Sequence, residues 1–175
     1  MKGCNSNICY VDLTAHTTRI EILPDDLLIQ YLGGRGINSY LLNRDFIKLP
    51  SPLDPRNITI VSAGLFVNTS MSSSGRTCIS FLMNAEGTSF TDGNMGGRFA
   101  TAMKSAGVDV LYITGKSRKL CYILVKDGKV TIKEDHHLKG LNTYQTDTLL
   151  KEKYPEARTI SIGSAGEQLS PYAVV

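Results

Sequence analysis

Glycines arrive in clusters along this chain, and each cluster interrupts a run of apolar residues. They are Gly33-Gly34-Arg35-Gly36, Gly75-Arg76, Gly93-Asn94-Met95-Gly96-Gly97-Arg98 and Gly163-Ser164-Ala165-Gly166. Glycine inside a folded segment costs roughly 0.5–1 kcal/mol relative to alanine. Such clusters mark places where the backbone bends sharply or comes close to something. The densest is "TDGNMGGRF", residues 91–99, with three glycines, an asparagine and an arginine in nine positions.

Between the clusters the chain reads as short elements. Residues 8–14 and 17–23 predict two strands with a tight turn at Ala15-His16. Pro24 opens a helix with Asp25 and Asp26 in its first turn, where acidic groups suit the helix dipole. Gly33-Gly34 ends it, and a second helix is expected from about Ile37 to Phe46. Residues 49–57, "LPSPLDPRN", read as a proline-rich surface connection. Residues 58–63 and 77–83 predict strands around a Ser-rich loop, Gly64 to Gly75. A short helix is expected from Arg98 to Ala106, closed by Gly107. Strands follow at 108–114, 120–126 and 129–134, the last two joined by Asp127-Gly128, the strongest hairpin signal in the chain. A helix near 143–153, a strand at 159–162 and an incipient strand in "SPYAVV" complete the pattern. This order predicts an α+β fold with mostly antiparallel sheet and a few short helices. At 175 residues it is sized for a single domain, 1–175.

Composition narrows the function classes. The apolar fraction of 42% and charged fraction of 20% are those of a globular protein. A formal charge of +3 mildly favours anionic ligands, but no Lys/Arg-rich block or basic–aromatic interleaving points to nucleic acid. The N-terminus lacks the apolar core of a signal peptide, and no apolar run approaches the ~20 residues of a membrane span. A cytoplasmic protein without a membrane partner is the resulting expectation. Cys4, Cys9, Cys78 and Cys121 have neither zinc-type nor C-x-x-C-x-x-x-C spacing, so free thiols are expected.

Acid–base candidates are sparse. His136-His137, among Glu134, Asp135 and Lys139, reads as a solvated loop. His16 has no evident partner, and Asp92 and Glu86 flank the glycine motif without a paired carboxylate at a telling spacing. The serines at 70–74 have no nucleophile-elbow context. The glycine clusters are more suggestive, because three of them carry arginine. Exposed backbone N–H groups beside a guanidinium form an anion cradle. No cluster matches a dinucleotide fingerprint or a P-loop, and a plain turn accounts for residues 91–99 as well as a cradle does.

Four segments taken in order carry a resemblance: "YLGGRGINSYLL", "SAGLFVNTSMSSSGRTCIS", "GNMGGRFATAMKSAGVDVLYITGKS" and "SIGSAGEQLSPYA". Together they resemble the N-terminal domain of the aldehyde ferredoxin oxidoreductase family, tungsten or molybdenum bis-pterin enzymes that include carboxylic-acid and benzoyl-CoA reductase subunits. The resemblance spans nearly the whole chain and implies a domain of two β-sheets on which two pterins sit. It implies cofactor contacts at Arg76, Asn94 and Gly96, with the Asn94 backbone carbonyl helping to hold a Mg2+ ion between the pterin phosphates. The complete enzyme would oxidise an aldehyde to a carboxylic acid and pass electrons through a [4Fe–4S] cluster to ferredoxin.

The departures are as informative. The family continues past "SIG-x-AGE-x-L" into an R-x-x-G-R-G-G-x-G segment that grips the other side of the cofactor, and its cluster cysteines lie in later domains. Gly64-Leu65-Phe66 also lacks the proline typical of relatives. The chain is therefore expected to be truncated relative to the family, to hold half of a cofactor site, and to be inactive alone. Its partners would be the remaining domains or a partner subunit. The alternative is a non-catalytic binding or assembly module that pairs with a partner chain through the apolar strand at Tyr172–Val175.

Overall fold

Alternation along the strands builds this fold, because successive side chains of one central sheet feed two separate cores. The structure is a computed structural model, and it describes residues 5–83, 89–170 and 173. The elements are β1 (Asn7–Asp12), β2 (Thr17–Ile22), α1 (Asp25–Tyr31), α2 (Gly34–Arg44), β3 (Thr59–Ala63), β4 (Thr77–Leu82) and β5 (Phe90–Met95). Then come α3 (Phe99–Ser105), β6 (Val110–Thr114), β7 (Cys121–Lys126), β8 (Lys129–Glu134), α4 (Thr143–Lys153) and α5 (Ser164–Glu167), with a 3-10 turn at His136–Leu138.

Six strands form one sheet in the order β2-β1-β6-β3-β4-β5, and β7 pairs with β8 in a second. The α+β expectation and its two sheets are borne out. Every pairing is antiparallel except β1 with β6, so the large sheet is mixed. Parallel neighbours need a long crossover, and β1 and β6 are separated by nearly a hundred residues of chain.

Ile8, Ile60, Leu82, Val110 and Tyr112 face one side of the sheet and pack with Leu28, Ile37, Leu41 and Leu42 of α1 and α2. Cys9, Val11, Val61 and Leu111 face the other side, with Ala100 and Met103 of α3 and with Val130 and Ile132 of β8. A sheet buried on both faces explains why β3 reads as a continuous apolar run. The tip of the β7–β8 hairpin rests on the end of α3, where the Gly128 N–H donates to the Ala106 carbonyl at 2.7 Å.

The first core is tied to the sheet by a polar clasp. Arg44 donates to both carboxylate oxygens of Asp45, at 2.8 and 2.6 Å. The Tyr112 hydroxyl donates to Asp45 Oδ2 at 2.9 Å. The second is tied by a buried ion pair. Lys104 Nζ donates to the carbonyls of Gly64 and Leu65 at 3.1 and 2.8 Å and lies 3.8 Å from Asp109 Oδ1. Both side chains are almost wholly buried.

Several expectations shift. The second helix begins at Gly34 and ends at Arg44, not Ile37 to Phe46. It can start on glycines because α1 and α2 meet tightly there: a Cβ on Gly36 would stand 2.0 Å from the Tyr31 carbonyl oxygen. The glycine motif at 91–99 is largely strand β5, paired with β4 along its length. Residues 159–162 form no strand. Among the described residues they join no ladder, and their side chains are used otherwise: Ile160 packs on the second core and Thr159 Oγ1 donates to Asp147 at 2.6 Å. Cys9, Cys78 and Cys121 are free thiols, as expected. Cys4, Glu86 and the strand expected at Tyr172–Val175, save Ala173, lie outside the described residues.

Two predictions follow from these ties. Lys104→Met leaves Asp109 and two carbonyls buried without their cation and is expected to cost about 3–5 kcal/mol, read from urea unfolding. Asp109→Asn added to it recovers part of the loss. The second concerns pH. The Arg44 guanidinium first, then the Tyr112 hydroxyl, hold the Asp45 carboxyl below the usual carboxylate range against its partial burial. Its stabilisation is present above the unfolded value of about 3.9 and is lost as pH falls through the lower folded value. Asp45→Asn should therefore flatten the fall in stability below about pH 4, measured by urea unfolding at several pH values.

Candidate functional site

Directly opposed residues of antiparallel strands share a face, and this places the expected site residues together. Cys78 pairs with Asn94 and Ser80 with Asp92 in the β4–β5 ladder. Cys78 and Ser80 point to the α2 side, where the Asn38 amide donates to Ser80 Oγ at 2.9 Å. Asp92 and Asn94 therefore point to that side as well. Arg76 immediately precedes β4 and Gly96 immediately follows β5, so the two lie across from each other at the ladder's end. A Cβ on Gly96 would stand 3.8 Å from Arg76 Nη1. The sequence-predicted trio of Arg76, Asn94 and Gly96 thus converges on one corner, and all three are exposed.

The corner has a rigid base. A Cβ on Gly75 would come within 3.2 Å of the Gly97 carbonyl oxygen, so the two glycine clusters meet backbone to backbone. Gly97 itself has φ +91°, a conformation that side chains with the L configuration rarely adopt. Arg98 stands exposed before α3. The loop that delivers Arg76, residues 64–75, is anchored at its start by Lys104 and by an isolated bridge between Gly33 and Gly64.

Arg35 reaches the same corner from the first turn of α2. Its Nε donates to Asp92 Oδ2 at 2.8 Å, and its Nη2 lies 2.7 Å from the same oxygen. The Asn94 amide also donates to Asp92 Oδ2, at 3.1 Å. The bond to Asp92 raises the pKa of Arg35 further above its ordinary value. Sequence reading missed this link: positions 35 and 92 are far apart, and no local spacing marks them as partners. With Arg35 and Arg76 against Asp92, the corner holds more positive than negative charge. An exposed guanidinium beside unhindered backbone suits an anionic group.

Two other features do not share this chemistry. A cavity of about 950 Å3 lies on the opposite face of the large sheet. Its walls include Ile79, Phe99, Leu111, Ile123 and Ile160, and its character is apolar. Asp135, His136 and His137 have ligand atoms within 4.8 Å of one another. However, the Asp135 carboxylate already accepts from Lys153 Nζ at 2.5 Å and from the His137 N–H at 3.1 Å. That arrangement caps the 3-10 turn, in line with the solvated loop expected there. No helix among the described residues is long and apolar enough to cross a membrane.

Residues 8–175 match the family described as aldehyde ferredoxin oxidoreductase, N-terminal domain. Over 168 residues, or 94% of the chain, the sequence is 31% identical to a tungsten-containing aldehyde ferredoxin oxidoreductase of Pyrococcus furiosus. It is 32% identical over the same share to the enzyme of that name from Thermococcus kodakarensis. The chain spans about a quarter of the length of these relatives, 27% in each case. Among solved structures, a chain of the active-site complex BamBC of benzoyl coenzyme A reductase, in complex with 1,5-dienoyl-CoA, superimposes with a TM-score of 0.85 at 30% identity. That likeness covers 94% of this chain and 25% of the other.

Because a Cβ on Gly97 would meet nothing within 4 Å, its replacement tests backbone strain without a clash. Gly97→Ala should destabilise by roughly 1–2 kcal/mol, and Gly97→Asn by less, in thermal unfolding.

Proposed function

The chain belongs to the aldehyde ferredoxin oxidoreductase N-terminal domain family, and on that premise we propose that the β4–β5 corner is one wall of a tungsten- or molybdenum-pterin site. One observation carries the reading. Arg76, Asn94 and Gly96 are brought to one exposed, positively charged corner by a single strand register. The residues fit an anionic cofactor. Arg76 would offset pterin phosphate charge, and Gly96 would let the cofactor approach the backbone. The Asn94 backbone carbonyl would help to hold the Mg2+ ion that accompanies the cofactor. When bound, the metal–pterin group would supply the two-electron chemistry, while this chain would bind and orient it.

The reading extends to the whole enzyme. Residues 1–175 would act as one cofactor-supporting domain of an oxidoreductase that converts aldehydes to carboxylic acids. The opposite wall, the [4Fe–4S] cluster and the contact with ferredoxin would come from further domains or a partner subunit. That the relatives are nearly four times longer supports this division.

The test is to co-produce the chain with a polypeptide carrying the remaining domains and to measure bound tungsten or molybdenum. Arg76→Ala is expected to lower metal occupancy about tenfold or more, with thermal unfolding of the chain unchanged. Occupancy equal to that of the parent would overturn the role of Arg76. The chain by itself should show no aldehyde oxidation with a viologen acceptor, and turnover by the purified chain would refute the division of the site.

A further inference from the structure

The side chain of Asn94 is held from behind. Its amide donates to Asp92 Oδ2 at 3.1 Å, and that same oxygen receives Arg35 Nε at 2.8 Å, with Arg35 Nη2 2.7 Å away. A carboxylate facing a guanidinium only accepts hydrogen bonds. The nitrogen of the Asn94 amide must therefore face Asp92, and the amide oxygen is turned the other way. The Asp92 side chain is only 17% exposed, so this link is partly sheltered from water, whereas Arg35 is 65% exposed and replaceable by solvent.

We infer that Asp92, braced by Arg35, is a positioning residue that fixes the side-chain amide of Asn94 so that its oxygen is presented at the corner as a hydrogen-bond acceptor. Asp92 and Arg35 do not themselves hold the cofactor: the guanidinium of Arg35 is engaged by the carboxylate. The inference rests on the proposed cofactor corner, because it names which atom of Asn94 is presented there. It also separates the roles of Arg76 and Arg35. Arg76 faces the ligand side beside Gly96, while Arg35 serves as the counter-ion that keeps Asp92 in place. The ligand group that this side-chain oxygen suits is an N–H donor, separate from the Mg2+ ion expected at the Asn94 backbone carbonyl. A phosphate oxygen would instead seek Arg76.

Asp92→Leu removes the acceptor, Asp92→Asn keeps its shape but not its charge, and Asp92→Glu offers rescue. In the isotopically labelled chain, the Asn94 side-chain amide should show slowed solvent exchange. In Asp92→Leu its exchange should rise to that of a free asparagine, with backbone amides of β4 and β5 unshifted beyond the neighbouring residues. Co-produced with the remaining domains, Asp92→Leu should lower metal occupancy about tenfold, Asp92→Asn by less, and Asp92→Glu should restore part of it. Unchanged Asn94 exchange in Asp92→Leu would overturn the positioning role. So would unchanged metal occupancy in Asp92→Leu where Arg76→Ala has lost its metal. Parental occupancy in both variants would instead remove the cofactor corner itself.

Discussion

The register between β4 and β5 is the constraint on which the candidate site depends. It sets Cys78 opposite Asn94 and Ser80 opposite Asp92. Side chains along a strand alternate faces, so a slip of one residue would turn Asp92 and Asn94 to the far side of the sheet. There they would meet the second core, away from Arg35. The register is in turn held by burial. Leu82 is pinned in the first core, Ile79 packs against the second, and the buried amide of Asn38 reaches across to Ser80. The corner is therefore accurate for the same reason that the sheet is stable.

The second support lies under the loops. Lys104 is buried against Asp109 and donates to two carbonyls at the start of the loop that leads to Arg76. Desolvation pushes the Asp109 carboxyl up, and its bond from the Asn7 N–H and the nearby Lys104 only partly offset this. A buried pair of this kind contributes little net stability against an apolar substitute. Its use here is positional: Lys104 of α3, Asp109 just before β6 and the start of the 64–75 loop are joined at one point. The loop carries no proline at Leu65, and its start is held by the two bonds from Lys104.

Charge and shape then divide the molecule into two working faces. The α2 side ends in an exposed corner with arginines, glycines and a braced asparagine. The other side holds a mostly apolar cavity between the large sheet and the β7–β8 hairpin. A domain that supports a cofactor needs the first kind of surface and little acid–base equipment of its own. The chain's histidines are exposed, Cys9, Cys78 and Cys121 are free thiols, and Asp92, within the glycine motif, is engaged by arginine.

Most of the fold was legible in the residues. Proline and acidic residues marked the start of α1, Asp127-Gly128 marked the hairpin, and alternating or continuous apolar runs marked the strands. Local chemistry suffices for these, because turns and caps are decided by near neighbours. It misled at 159–162, where an apolar pattern satisfied burial without a strand partner among the described residues, and at Gly34–Gly36, where tertiary contact let a helix begin on glycine. The sequence by itself determined most element types and the glycine clusters, and its resemblance to a family named the three candidate cofactor contacts. Only the tertiary structure decided that Arg76 meets Gly96, that Asp92 lies between Arg35 and Asn94, and that Lys104 finds Asp109 beneath the loop. Those relations join residues across long stretches of chain, and they exist only once strand register and two-sided burial have set the chain's path.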